Sequence, residues 1–374
     1  MRRRGKATLA LAAAAVLTCA ACGGGSGADA GADLAGPVGA SSSVGARGGV
    51  RVGVVLPDTR SSARWESFDK PLLQKAFDDA GIRVDIRNAL GDTAAFASAA
   101  DAMIKEGVRV LIIANIDNAS GAQVQAKAKA AGVATIDYDR LTLGGSADYY
   151  VSFDNVKVGE LQGAGLVTCL GARAGARIIE LNGSPTDNNA TLFKQGYDSQ
   201  LAPRYAAGWK KVGDRSVPKW DAAQAGTVFQ QLLVAAGTRV DGVLVANDGM
   251  AQSVIARLRA AHVKAPVTGQ DATPEGLRSV LLGEQCMTVY KAVALEAVGA
   301  AGAATALIRG GSVDTGGKTT RDAVGRRDVP SVLLAPQPVT AATVKDVVAD
   351  GFVRAGEICT TDEARAACAK YGVQ

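Results

Sequence analysis

Histidine is almost absent, with His262 standing alone in 374 residues. Past the leader no two cysteines form a C-x-x-C pair, so a zinc site has no ligand set. No G-x-G-x-x-G and no P-loop sequence occurs, which removes the usual cradles for dinucleotides and nucleotide phosphates. No basic run follows the first few residues, so nucleic acid is not an expected partner. Aromatics make up only 5% of the chain, so each of the three tryptophans is worth placing. An enzyme would need a nucleophile with its base, a metal or a cofactor loop, and none of these can be assembled. The chain reads as a binding protein with no cofactor and no metal.

What is present begins with a leader. Arg2, Arg3, Arg4 and Lys6 precede an apolar stretch over residues 7–18, too short to span a bilayer. Residues 1–22 form a secretory signal ending in Ala20-Ala21-Cys22, the pattern of a bacterial lipoprotein signal with Cys22 as the lipid-bearing residue. The four leader cations leave +1 of the formal net charge of +5. Residues 23–49 are rich in Gly, Ala and Ser and are expected to be a disordered tether. The protein is therefore placed outside the cytoplasm, anchored to the cell membrane. Export leaves Cys169, Cys286, Cys359 and Cys368, which permit two disulfides in three pairings. Cys359 and Cys368 are near enough for a local loop. Cys169 with Cys286 would then join two segments of one lobe.

Two stretches share one design. Residues 108–140 and 240–272 each run from an apolar strand through Ala-Asn and an Ala-rich helix to a second strand ending in Asp. Asn115 precedes Asp139 by 24 positions, and Asn247 precedes Asp271 by the same 24. A duplicated βαβ unit predicts two similar lobes facing one another, with ligands at the carboxyl ends of the strands. Strands are expected at 50–56, 83–87, 108–114, 133–138 and 149–153. Helices are expected at 65–80, 94–106 and 121–131. The second lobe repeats the order, with Asp154-Asn155 as hinge architecture. Residues 310–327 read as loop, and 332–334 as one more strand near a third crossing. Trp209 is assigned to packing and His262 to the surface.

The strand ends collect carboxylates, carboxamides and guanidinium groups, among them Asn115, Asp139-Arg140, Asp187-Asn188-Asn189, Asn247-Asp248 and Gln270-Asp271. Such planar bidentate groups suit a neutral polyol, whose adjacent hydroxyls both donate and accept. Indole rings pack on the weakly apolar faces of a sugar, the role given to Trp65 and Trp220. Asn247 is expected on the ligand and Asp248 nearer the cap of the next helix.

The segments S-A-R-W, Y-D-R, S-F-D-N-V-K-V-G-E-L-Q, G-S-P-T-D-N-N-A, A-N-D, G-Q-D-A, M-T-V-Y-K and V-P-S-V-L-L occur in this order. Together they resemble the sugar-binding proteins of bacterial ABC importers, the D-xylose binders in particular, from about residue 51 to 352. The resemblance implies an α/β, type I periplasmic binding fold: two Rossmann-like lobes with parallel sheets, joined by three crossover strands. It implies lobes at 50–152 plus 291–330 and at 153–290 plus 331–357, leaving a tail at 358–374 with no sugar role. It places sugar contacts on Arg64, Trp65, Asp139, Arg140, Asn188, Trp220, Asn247, Asp271 and Lys291. A slightly longer loop at 57–63 makes Arg60 a rival to Arg64. The implied partners are a monosaccharide, a permease and its ATPase, or alternatively a membrane receptor that senses the sugar-loaded protein, with the protein itself a monomer. A sugar-responsive regulator of this fold would carry a helix-turn-helix where this chain has its leader and tether.

Overall fold

The computed structural model describes residues 52–374. The signal, the tether and Cys22 lie outside these residues. Strand β1 (Val52–Leu56) is buried along its whole length, as its unbroken apolar run requires. The chain continues through a π-helical turn (Trp65–Asp69) into α1 (Lys70–Asp79), then β2 (Val84–Asn88), α2 (Thr93–Lys105), β3 (Val110–Ile113), α3 (Asn118–Ala130), β4 (Ala134–Tyr138) and β5 (Tyr149–Phe153). These strands pair in parallel in the order β5-β4-β3-β1-β2. Strand alternating with helix forces that arrangement, because each crossover lays a helix on a sheet face.

The chain leaves this lobe at Phe153 and enters α4 (Asn155–Leu170). The second lobe follows: β6 (Arg177–Asn182), α5 (Asn188–Ala206), β7 (Lys210–Ser216), α6 (Ala222–Ala235), β8 (Gly242–Val245), α7 (Asp248–Ala260), α8 (Pro274–Leu281) and β9 (Thr288–Tyr290). Its central sheet has the order β7-β6-β8, all parallel, and Val267 bridges to Val243 at its edge. Side-chain caps start the helices on schedule. Asp92, Asp117, Asp154, Asp187 and Asp221 each accept a backbone N–H of the first turn of the helix that follows.

The chain returns to the first lobe after Tyr290. Helix α9 (Val293–Ile308) lays Ala297, Ala300, Ala301 and Ala304 against the core that holds Val52, Val54 and Ile112. Residues 310–327 are not wholly loop: β10 (Thr319–Asp322) forms an antiparallel pair with β11 (Arg327–Leu334). Ser331–Leu334 then pair in parallel with Tyr150–Phe153, so this strand completes the large sheet. The second-lobe segment expected from residue 331 thus starts after Leu334, where the chain crosses to β12 (Gln337–Val339), antiparallel to β9. A V-P-S-V-L-L run reads as strand in either lobe, and only its pairing partner decides which. Three crossings result, at 153–155, 290–293 and 334–337.

The C-terminal segment is folded rather than a loose tail. Helices α10 (Val344–Ala349), α11 (Ala355–Ile358) and α12 (Asp362–Tyr371) bury Val347, Ile358, Cys368 and Val373 against Leu277 and Val280 of α8. Phe352 stacks on Phe68 at 4.4 Å, centroid to centroid. Disulfides link Cys359 to Cys368 and Cys169 to Cys286, with Cα separations of 6.1 and 6.3 Å.

Candidate sugar-binding cleft

The duplicated units meet at their aspartates. Asp139 and Asp271 both have left-handed backbones, with φ of +60° and +101°. Each backbone N–H is tied to a strand that leads to a crossing, Asp139 to Val151 O and Asp271 to Val289 O, both at 2.9 Å. A non-glycine residue costs energy in this region, and such strain persists only where the surroundings impose it. Both carboxylates turn to one ammonium. Lys291 Nζ lies 3.3 Å from Asp139 Oδ2 and 3.5 Å from Asp271 Oδ1, and all three residues are buried. Lys291 occupies the second crossing, so hinge, first lobe and second lobe converge on one point.

The repeat is less regular on the helix side. Asn247 caps α7, its Oδ1 accepting Met250 N–H at 3.0 Å. In the first lobe Asp117 is the cap, two residues beyond Asn115. Asn115 instead donates to Thr142 Oγ1 at 2.8 Å and does not line the cleft. The equal spacings hide two extra residues before α3 and two fewer after it. The expected division between Asn247 and Asp248 is also corrected. Asn247 both caps the helix and faces the cleft. Asp248 is fully buried behind it, accepting from Gln285, Thr288 and the Thr273 backbone. Burial, opposed by these hydrogen bonds, pushes its carboxyl up to about 7.

Arg64 and Trp65 stand at the start of the π-helical turn, a local geometry often found at functional sites. Arg64 is 4% exposed and fully engaged. It forks onto Asp69 at 2.7 and 2.8 Å, reaches Asp139 at 2.7 Å, and reaches Glu296 of α9 at 2.7 Å. Tyr138 donates to the same Asp69 at 2.8 Å. Burial would raise the Asp139 carboxyl, but Arg64, Lys291 and Arg140 outweigh it and hold it well below the usual carboxylate range. Burial raises Glu296 to about 8 despite Arg64, with Asp139 and Asp69 pushing the same way. Arg60, the rival, sits at the rim on Asp221, 84% exposed at its side chain.

Trp65 packs beneath both guanidinium groups, 4.8 Å from Arg64 Cζ and 5.1 Å from Arg140 Cζ to its ring centre. Its Nε1 donates to Ser61 Oγ at 3.1 Å. Trp220 lines the same cavity from the second lobe, held through Nε1 to Asp187 Oδ2 at 3.1 Å and edge-on to Phe193. Lys219 and Trp220 are both left-handed, which swings the ring over the end of β6. Gly183 makes that possible, because a Cβ there would fall 2.0 Å from Trp220 Cη2.

Eight of the nine expected contacts, Arg64, Trp65, Asp139, Arg140, Trp220, Asn247, Asp271 and Lys291, line one small cavity. Asn188 does not. Asp187 and Asn189 line it instead, while Asn188 is half-buried with its Nδ2 enclosed and unpartnered. Asn189 donates to Asp139 O at 2.9 Å, and Arg140 Nε meets Asp187 Oδ2 at 3.1 Å. Ser61, Ser62 and Gln270 also line the cavity, and Ser62 Oγ donates to Asp271 at 3.3 Å. Gln270 Oε1 is buried without a donor, an acceptor open to a hydroxyl. The lining is balanced, Arg64, Arg140 and Lys291 against Asp139, Asp187 and Asp271. Among the described residues no cluster of metal-ligating side chains occurs, and no helix is long and apolar enough to cross a membrane.

Two lobes, three crossings and a polar cleft between strand ends define a periplasmic binding protein. The family model described as a periplasmic binding protein domain matches residues 52–312, and the chain belongs to that family. Among its relatives is the D-xylose-binding periplasmic protein of Escherichia coli (strain K12), 35% identical over 83% of this chain and 92% of that protein. The multiple sugar-binding periplasmic protein of Azospirillum brasilense is 36% identical over 80% of this chain and 88% of its own length. A carbohydrate transporter solute-binding protein from Chloroflexus aurantiacus, solved with D-glucose, superposes with a TM-score of 0.75. It is 30% identical and covers 82% of this chain and 97% of its own.

Proposed function

We propose that this protein captures one neutral monosaccharide outside the cytoplasm, D-xylose foremost, and delivers it to an ABC permease and its ATPase. One observation carries the reading: opposed lobes bring three cations, three carboxylates and two indoles around a single small cavity. Equal and opposite charge favours an uncharged polyol over a phosphate or a carboxylate. Contacts from both lobes form together only when the lobes meet, so ligand and closure stabilise each other. The relatives named for D-xylose and for multiple sugars favour an aldose, with glucose, galactose, arabinose and ribose as the alternatives.

Attachment to the membrane through a lipid on Cys22 belongs to the same proposal. The small-small-Cys sequence followed by Gly23-Gly24-Gly25 supports it. Radiolabelled palmitate retained by the native chain and lost in Cys22→Ala is the expected result. For the site, a thermal-shift screen of pentoses and hexoses picks the ligand, and calorimetry follows. Asp139→Ala and Asp271→Ala should each cost about 1.5–3 kcal/mol, roughly tenfold to 150-fold in affinity. Unchanged affinity in both variants would remove these residues from the site.

A further inference from the structure

Beside the inner cavity lies a second and larger one. It lies between the lobe rims and is open to solvent. Four residues line both: Ser61, Arg140, Asp187 and Trp220. They are joined in a chain. Arg140 Nη2 donates to Ser61 Oγ at 3.0 Å, Arg140 Nε meets Asp187 Oδ2 at 3.1 Å, and Trp220 Nε1 donates to that same oxygen at 3.1 Å. Ser61 and Arg140 come from the first lobe, Asp187 and Trp220 from the second. The partition is therefore made where the lobes meet, and a ligand lying across it must take the place of the Arg140–Asp187 contact.

The outer chamber has the chemistry of a sugar subsite. Leu90, Ile116 and Ala222 supply apolar wall, while Thr186, Lys219 and Asp221 supply hydrogen-bonding groups. Its backbone is strained as the inner cavity's is. Of nine non-glycine residues with positive φ among the described residues, Leu90, Lys219 and Trp220 line this chamber, and Asp139, Asp271 and again Trp220 line the inner one. Leu90 is held there by Asn88, whose Oδ1 accepts its N–H at 2.8 Å, and stays 69% exposed. Its side chain gives the chamber an apolar edge.

We infer that the cleft accepts a two-ring ligand, a disaccharide with one ring in the inner cavity and the second in the outer chamber. The glycosidic oxygen then lies at the partition, where Arg140 donates to it. This inference rests on the monosaccharide reading and extends its ligand class.

The test is calorimetry with paired probes, D-xylose with xylobiose and D-glucose with cellobiose, on the native chain and two variants. Ala222→Phe fills the outer chamber, and Leu90→Ala strips its wall. For the pair whose monosaccharide binds, the disaccharide should bind the native chain. Ala222→Phe should weaken it by about tenfold or more, while monosaccharide affinity stays within about twofold. Leu90→Ala should weaken the disaccharide alone by a few-fold. A monosaccharide that binds while its disaccharide gives no heat overturns this inference and leaves the monosaccharide reading standing. So does a disaccharide that binds equally to all three chains. Failure of every monosaccharide overturns both.

Discussion

Replacing Gly183 with alanine should damage sugar binding without touching any group that bonds the ligand. The added Cβ would stand 2.0 Å from Trp220 Cη2 and 2.4 Å from Cζ2 and Cζ3. To reach ordinary carbon–carbon contact the indole must retreat by about 1.5 Å. It has little freedom to do so. Its backbone is left-handed, its Nε1 is bonded to Asp187, and Phe193 packs against it at 6.2 Å. The open side is the cavity itself, which Trp220 lines. Forced overpacking of this kind costs about 1–3 kcal/mol. Sugar affinity should fall by roughly tenfold to a hundredfold as the ring enters the ligand's space. Chemical denaturation measures the first quantity and calorimetry the second. Adding Trp220→Ala to Gly183→Ala should recover stability but not affinity, a non-additivity that marks direct contact. Native stability together with native affinity in Gly183→Ala would refute the argument.

Three further outcomes follow from the same geometry. Arg64→Met should destabilise the protein by about 3–5 kcal/mol in denaturant unfolding, because Asp69 and Asp139 lose a shared cation and Glu296 loses its hydrogen-bond donor. Glu296, raised to about 8 by burial, keeps its proton in the fold at pH values where the unfolded chain has released it. Its contribution is complete below the unfolded value of about 4.3 and is lost as pH rises through about 8. Glu296→Gln should therefore lose less stability between pH 5 and 8 than the native chain, at roughly that range of buffers. Replacing Cys169 and Cys286 together by serine opens a loop of 117 residues and should cost about 2–4 kcal/mol, read from urea midpoints.

Where the chemistry sits at a strand end, the sequence was readable. Asp139 and Asp271 recur at matched ends of duplicated units, and the structure places both on Lys291. Groups that act from within helices escaped. Glu296 lies in an Ala-rich helix with nothing local to mark it, and Asp69 lies in a π turn that sequence periodicity does not distinguish from an ordinary helix. Asn189 rather than Asn188 lines the cavity. The placement of 331–334 depended on long-range pairing with 150–153, which no local pattern encodes. The C-terminal helices carry a polar composition, and their buried side, from Val347 to Val373, exists only against α8.

A crystal structure of the chain with its best-binding aldose tests the central claim most directly. The account predicts one sugar ring between Trp65 and Trp220, with hydroxyls on Asp139, Asp271 and Lys291 and the lobes closed around it. A ring bound outside this cavity, or inside it with neither aspartate in contact, would contradict the account.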